Sequence, residues 1–374
     1  MRKLSGGQIQ VGKPIPYDCY DGNGQLLLKK GLVVDSQRQV DFLLERGLYG
    51  QAEASGGDAT PVNDRPASPF ELISDCYNRL SRLLSLPSAQ SAGASPPLAQ
   101  PIQALAADIQ KLCRLDADAV LGAVHLDHAV RYGVMHPVHR AIVCEMLARR
   151  KAVPEDERLQ IVAAALSADI SMIKLQDELA RQKEQLQPQQ RLALHQHPLE
   201  SLKLLTVQGV VNKTWLTAVV QHHEACNGKG YPSGVAAGGI SQGARILKLA
   251  DMYTALIAPR AQRAGAISKV AMRELYLKRG EEVDEELALL LIKELGVFPP
   301  GAFVKLYSGE LAIVTRRTDN PKAPAAKAVV GPRGAPYERP APRKTEIREY
   351  EIVGVVERDK IVAIDLHNLW GYTP

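Results

Sequence analysis

Two adjacent histidines and a glutamate, His222, His223 and Glu224, run directly into a glycine-rich turn, "NGKGYP", spanning Asn227, Gly228, Gly230, Tyr231 and Pro232. Eight of the nine histidines lie between His125 and His223, so imidazole is concentrated in one part of the chain. A single histidine on an apolar face is ordinarily a hydrogen-bonded core residue. Several on successive helices, with aspartates in similar contexts, point instead to a shared metal site built from inward-projecting side chains. Imidazole nitrogen with carboxylate oxygen suits iron, manganese, nickel or zinc, and chemistry on phosphate esters favours one or two such ions about 3.5–4 Å apart. On a helix, His222 and His223 would stand about 100° apart, one facing an ion and the other a second ion or a substrate phosphate. Gly228, Gly230 and Pro232 cannot continue that helix, and alone the turn reads equally as a cap or as a recognition loop. Glu224 reads as an orienting partner or general base for a histidine, and equally as a salt-bridge residue on a helix face.

The elements that must position these residues are mainly helical. Residues 101 to about 295 repeat apolar side chains three and four apart, as in "IQALAADIQKLCRL", "ERLQIVAAALSADISMIKLQDELARQKEQL" and "KTWLTAVVQHHE". Residues 1–50 read as a small accessory module, with a hairpin around "DGNG" and a helix from Asp35 or Ser36 to Gly47. Residues 51–100 read as a flexible linker carrying one short amphipathic helix, "FELISDCYNRLSRLLS". The helical domain covers 101–297, and 298–374 changes to period two, with strands on either side of a "SGE" turn, a basic Pro-rich loop and a last strand near "IVGVVE". At 374 residues, two or three domains are expected. The chain is 45% hydrophobic and only 5% aromatic, with five scattered cysteines and no CxxC pair, which argues against a disulfide framework or a thiolate zinc site. A net charge of +5, spread along the chain, does not compel a nucleic-acid polymer as partner. No run approaches the roughly 18 apolar residues of a membrane span, so a cytoplasmic protein without membrane insertion is expected.

Taken with its flanks, "HHEACNGKGYPSG" resembles the signature of HD-GYP domains, a branch of the HD superfamily of metal-dependent phosphohydrolases. "YGVMHPVHRAIV" resembles the family segment with the first metal-binding histidine, here His136, and "ALHQHPLESLKLL" resembles the segment that would supply His197. "ARILKLADMYTAL" is similar to the helix whose aspartate, here Asp251, completes the site. The resemblance implies a mainly α fold, an HD-superfamily helical bundle flanked by a small N-terminal α/β module and a C-terminal β extension. It implies a metal set of His136, Asp169, His197, His222, His223 and Asp251, with Asp169 and Glu224 in catalytic roles. It further implies one or two divalent transition ions, iron or manganese, and hydrolysis of cyclic di-GMP in bacterial signalling. Asn227, Gly228, Gly230, Tyr231 and Pro232 would touch substrate or dock diguanylate cyclase (GGDEF-type) domains. The N-terminal module would be a sensor or a dimerisation element, the latter giving a homodimer.

The name-giving pair is altered. "AALSADISM" keeps Asp169 but has Ala168 for the family's histidine, Ser171 for its glycine and Met172 for its lysine, and Asn227 stands where aspartate is usual. Losing one imidazole and one cation lowers metal affinity and occupancy, since a thioether replaces neither. Three readings follow: a cyclic di-GMP phosphodiesterase with an incomplete metal shell, a regulatory module that binds nucleotide or a cyclase without turnover, and a scaffold whose histidines are core residues. Of the other histidines, His125, His128 and His139 read as surface or capping residues, and His195 as facing away from the site of His197.

Overall fold

The helix Tyr132–Arg150 (α4) is buried along nearly its whole length, from Tyr132 to Ala148, so it must be surrounded by other helices. This computed structural model describes residues 67–85, 97–357 and 364–372, together with the backbone of four short strands before residue 51. Against α4 pack Pro69–Leu84 (α1), Ala99–Leu115 (α2), Ala117–Leu126 (α3), Glu155–Ser167 (α5), Ile173–Arg181 (α6), Gln242–Ile257 (α9) and Glu285–Leu295 (α11), while Pro188–Val207 (α7), Lys213–Gln221 (α8) and Ser268–Lys278 (α10) pack on these in turn. The three- and four-residue spacing of apolar side chains produces these helices. Ile102, Leu105, Ile109 and Leu112 of α2 all fall on one buried stripe.

Helix α1 belongs to this core and not to a linker. Ser68 and Glu71 close a reciprocal capping box at its start, with bonds of 3.2 and 2.7 Å. Phe70, Ile73, Cys76, Tyr77 and Leu80 are buried in the same cluster as α2, α4 and α5. Its apolar stripe is thus covered by the helical block, which a tether would have left exposed. The spacers on either side of it lie outside the described residues, as does the helix expected between Asp35 and Gly47.

Residues 303–355 form a five-stranded antiparallel sheet of Phe303–Leu306 (β5), Leu311–Arg316 (β6), Ala325–Val330 (β7), Pro336–Lys344 (β8) and Ile352–Val355 (β9), in the order β8-β7-β6-β5-β9. The expected basic Pro-rich loop is therefore two paired strands. Pro336, Pro340 and Pro342 are tolerated because β8 lies at the sheet edge, where N–H groups on the outer side need no partner. Arg343 of that strand is held by Glu310 at 2.7 Å. The sheet shares a core with the helices: Ile313 packs in the main cluster, Arg316 pairs with Asp116 at 2.8 Å, and Arg317 pairs with Asp118 at 2.6 Å. A terminal helix, Leu366–Trp370 (α12), brings Trp370 so close to Gly122 that any side chain there would collide with the indole. Met1–Arg65 forms a separate unit. Its strands Arg2–Lys3 (β1), Cys19–Tyr20 (β2), Leu26–Leu28 (β3) and Tyr49–Gly50 (β4) pair antiparallel in the order β1-β4-β2-β3, and β2 and β3 flank the expected "DGNG" hairpin. Among the described residues, no helix is long and apolar enough to cross a membrane.

Two histidines expected at the surface, His139 and His125, serve the core, and His195, expected to face away from the site, lies at its edge. His139 is buried and bonds the Tyr77 hydroxyl at 2.7 Å. His125 bonds Tyr253 at 2.6 Å, and burial pushes its imidazole down to about 4. His195 is exposed on one side but covers a face of Tyr231, with ring centroids 4.4 Å apart. Because an unfolded imidazole titrates near 6.5 and folded His125 near 4, the unfolded chain binds more protons in between, and stability falls as pH drops through that window. Denaturant unfolding of the wild type should lose stability between about pH 6.5 and about pH 5, and His125→Gln should remove roughly 1–2 kcal/mol of that loss. An unchanged slope in the variant would contradict the assignment.

Candidate metal centre

Asp169, His197, His222 and His223 present ligand atoms within 4.8 Å of one another, and His136, Asp169 and Asp251 form a second such group sharing Asp169. All six metal positions expected from the sequence are thus brought together. Asp169 leaves α5 on the turn that follows Ser167, where the long helical run of the sequence is interrupted and α6 begins only at Ile173. Ser171, in the place of the family's glycine, stitches this turn to α7 through the Ser201 hydroxyl at 2.9 Å and the His197 carbonyl at 3.1 Å. Ala168 is fully buried among apolar neighbours, and Met172 is also buried.

The backbone orients two imidazoles. Pro198, inside α7, has no N–H to give to Leu194, and the Leu194 carbonyl accepts from His197 Nδ1 at 2.6 Å. Helix α8 ends at Gln221, so the nearby Val219 carbonyl is available and accepts from His222 Nδ1 at 2.6 Å. A carbonyl only accepts, so both Nδ1 atoms carry the proton, and in the neutral rings both Nε2 atoms are bare lone pairs. Burial, then the neighbouring His197, pushes His222 down to about 4, so at neutral pH it is uncharged. His197 Nε2 and His222 Nε2 nevertheless stand 3.2 Å apart, and 3.3 and 3.8 Å from Asp169 Oδ1. Acceptors converging on one point without a donor between them are what a cation requires, so these residues fit a divalent ion.

His222 and His223 do not sit on a helix as expected. They lie on the turn after α8, and that turn brings both rings to the same cluster, with centroids 3.9 Å apart. Burial, then the charge His222 would carry, holds His223 well below the ordinary imidazole range. Tyr231 stacks on His223 at 4.6 Å, which places the glycine-rich turn against the cluster, and His195 also packs on the Tyr231 ring, at 4.4 Å. Glu224 Oε1 accepts from the Ser233 N–H at 2.7 Å and its Oε2 from the Val235 N–H at 3.1 Å, so both oxygens help to hold the turn. Gly230 lies against the backbone of Glu224 and Ala225, where an added Cβ would come within 2.3 Å of a main-chain nitrogen. Asn227 Oδ1 accepts from the Lys229 N–H at 3.0 Å, and Gly228 has φ of +73°, so these two shape the turn.

Arg140 was not anticipated from the sequence. It follows His136 by four residues on α4, the spacing that puts two side chains on one helix face. Its guanidinium is fully buried and bonds Asp169 Oδ2 at 2.7 Å and Asp251 Oδ1 at 2.6 Å. Burial alone would raise both carboxyls, but the Arg140 guanidinium, with His136 beside Asp251, holds them well below the usual carboxylate range. A separate cavity of about 570 Å³ opens beside His128, Arg260, Arg263 and Phe303. The converging ligands, not this volume, mark the chemical centre, but the two are linked: Arg260 lies over Tyr132 at 4.7 Å, and Tyr132 stacks on His136 at 4.9 Å.

Residues 123–287 match the HD domain family. The chain is 28% identical over 197 residues to a cyclic di-GMP phosphodiesterase of Pseudomonas aeruginosa, covering 53% of this chain and 47% of that one. It is 27% identical over 168 residues to the 3'3'-cGAMP-specific phosphodiesterase 3 of Vibrio cholerae, covering 45% and 36%. The chain thus spans half or less of the length of these curated relatives. A solved HDG"Y"P protein from Bdellovibrio bacteriovorus shares the fold, with a TM-score of 0.53 at 15% identity, covering 78% of this chain and 98% of that one. With its histidine–aspartate cluster and its Gly-Tyr-Pro turn, the helical block of this chain is an HD domain of the HD-GYP type.

Proposed function

We propose that this chain is a metal-dependent phosphodiesterase for cyclic di-GMP. The observation that carries this reading is the convergence of Asp169 Oδ1 with the bare Nε2 atoms of His197 and His222. Asp169, His197, His222 and His223 would hold the ion, iron or manganese by the resemblance. When bound, it supplies an activated water and neutralises phosphate oxygens. The protein does the rest. The Leu194 and Val219 carbonyls keep His197 and His222 in the tautomer that offers Nε2. Tyr231, packed with His195 and His223, offers an aromatic wall, and Arg260 and Arg263 line the adjoining cavity with positive charge for phosphate. Glu224 holds the wall in place.

A second reading is favoured by Ala168, Met172 and the Asp169–Arg140 pair: a regulatory domain that binds cyclic di-GMP, or a diguanylate cyclase domain, without turning substrate over. The relative that acts on 3'3'-cGAMP adds that nucleotide as the competing substrate to test. Docking of cyclase domains on the Gly-Tyr-Pro turn, and a homodimer, belong to this proposal as well.

Protein reconstituted without oxygen with Fe(II) or Mn(II) should release linear dinucleotide or GMP from cyclic di-GMP. His197→Ala should slow this by about 100-fold or more, at or beyond the upper end of losses from outer-shell partners. Folded protein that binds cyclic di-GMP but yields no product with either metal would retire the enzyme in favour of the second reading. Glu224→Gln replaces one of two acceptors with a donor facing an N–H. It should destabilise the fold by about 1–3 kcal/mol and weaken nucleotide binding more than it slows turnover of bound substrate. An equal loss of kcat with unchanged KM would instead give Glu224 a direct chemical role.

A further inference from the structure

Arg140 occupies the middle of the second ligand group. Nη1 reaches both Asp169 Oδ2 and Asp251 Oδ1, while Nε and Nη2 are tied to the Ala165 carbonyl at 3.0 and 2.7 Å. That carbonyl belongs to the last turn of α5, where acceptors lack helical partners, so the guanidinium is fixed from two sides. The carboxylate oxygens it takes are those a second ion would need. His136 agrees with this arrangement. Its Nε2 lies 3.0 Å from the same Asp251 Oδ1, and an ionised carboxylate can only accept, so Nε2 carries the proton. The lone pair is then on Nδ1, which is buried and bonds no carboxylate of the group. His197 and His222 have the opposite tautomer, with Nε2 free for an ion.

We infer that Arg140 is a tethered cation that stands in for a second metal ion, so that this centre takes a single ion, among Asp169, His197, His222 and His223. The inference rests on the proposal that this cluster is a metal centre, but it concerns the other half of the site. Asp169 is the shared member: Oδ1 faces the imidazoles and Oδ2 the guanidinium. Two carboxylates, one guanidinium and one divalent ion leave a net charge of +1, whereas adding a second divalent ion would leave +3 in a buried volume, which low dielectric makes unfavourable. A guanidinium donates hydrogen bonds and neutralises anions, but it does not dissociate and does not acidify water as a metal does.

The test is the metal content of the full chain after equilibration with excess Mn(II) and removal of free metal, measured by elemental analysis with electron paramagnetic resonance of the bound Mn(II). Wild type should hold one ion per chain, with the spectrum of an isolated ion. Arg140→Met should gain one ion, and Arg140→Lys, which keeps the charge, should not. Two ions in the wild type, an exchange-coupled pair in its spectrum, or a folded Arg140→Met that gains nothing would each overturn the inference. If Arg140→Met fails to fold by circular dichroism, the wild-type spectrum decides alone, isolated ion against coupled pair. Two ions in the wild type would overturn the inference and leave the proposed phosphodiesterase standing, whereas a folded wild type that binds no ion would overturn both.

Discussion

The carboxylate of Asp169 is shared between two kinds of positive partner, and the arrangement of the centre follows from that division. One oxygen faces the bare nitrogens of His197 and His222, and the other receives the Arg140 guanidinium. Asp169 and Asp251 are both enclosed by protein, and two buried carboxylates near each other cannot both stay ionised without compensation. At an effective dielectric of 20, two unit charges 4 Å apart interact by roughly 4 kcal/mol, enough to decide protonation states. Removing one member of a buried pair typically costs about 3–5 kcal/mol because it strands the other. Arg140 is therefore as much a part of the centre as any ligand. Its place on α4, one turn beyond His136, explains why the most deeply enclosed helix of the domain carries a charge at its middle.

Around this shared carboxylate, the backbone sets which nitrogen each histidine offers. Pro198 interrupts the hydrogen-bond ladder of α7 just where a carbonyl is needed to hold His197, and the end of α8 does the same for His222. Features that would only weaken a helix elsewhere here orient ligands. Ser171 braces the turn of Asp169 against the helix of His197, so the residues that depart from the family pattern include one with a positive structural role. The glycine-rich turn is held by Glu224 through two backbone N–H groups and by the close approach of Gly230, and Tyr231 is thereby stacked on His223.

Much of this was legible in the sequence. Apolar spacing located the helices, alternation located β5, β6 and β9, and the resemblance to HD-GYP domains named the six residues that converge. What was missed has physical causes. The helix reading ran through residues 168–172 because that turn carries no glycine or proline, although it is the turn that presents Asp169. The Pro- and Arg-rich segment looked like a loop by composition, but alternating "AAKAVV" pairs with an edge strand that accommodates proline. The short helix Pro69–Leu84 looked isolated because the spacers beside it hid the packing of its apolar stripe. The part Glu224 takes in holding the turn was missed because its backbone donors lie nine and eleven residues later. Arg140 escaped notice because arginine in a helix is normally solvated, and only the i, i+4 relation to His136 signalled that it faces inward.

The central claim is that one ion and one guanidinium divide the Asp169 carboxylate between them. The most direct measurement is a crystal structure of the protein grown with Mn(II), with anomalous differences recorded above the manganese edge. The account predicts one strong peak among Asp169, His197, His222 and His223, with the guanidinium of Arg140 still bridging Asp169 and Asp251. A second peak between Asp169 and Asp251, with Arg140 displaced, would contradict it, as would a cluster that takes up no manganese at all.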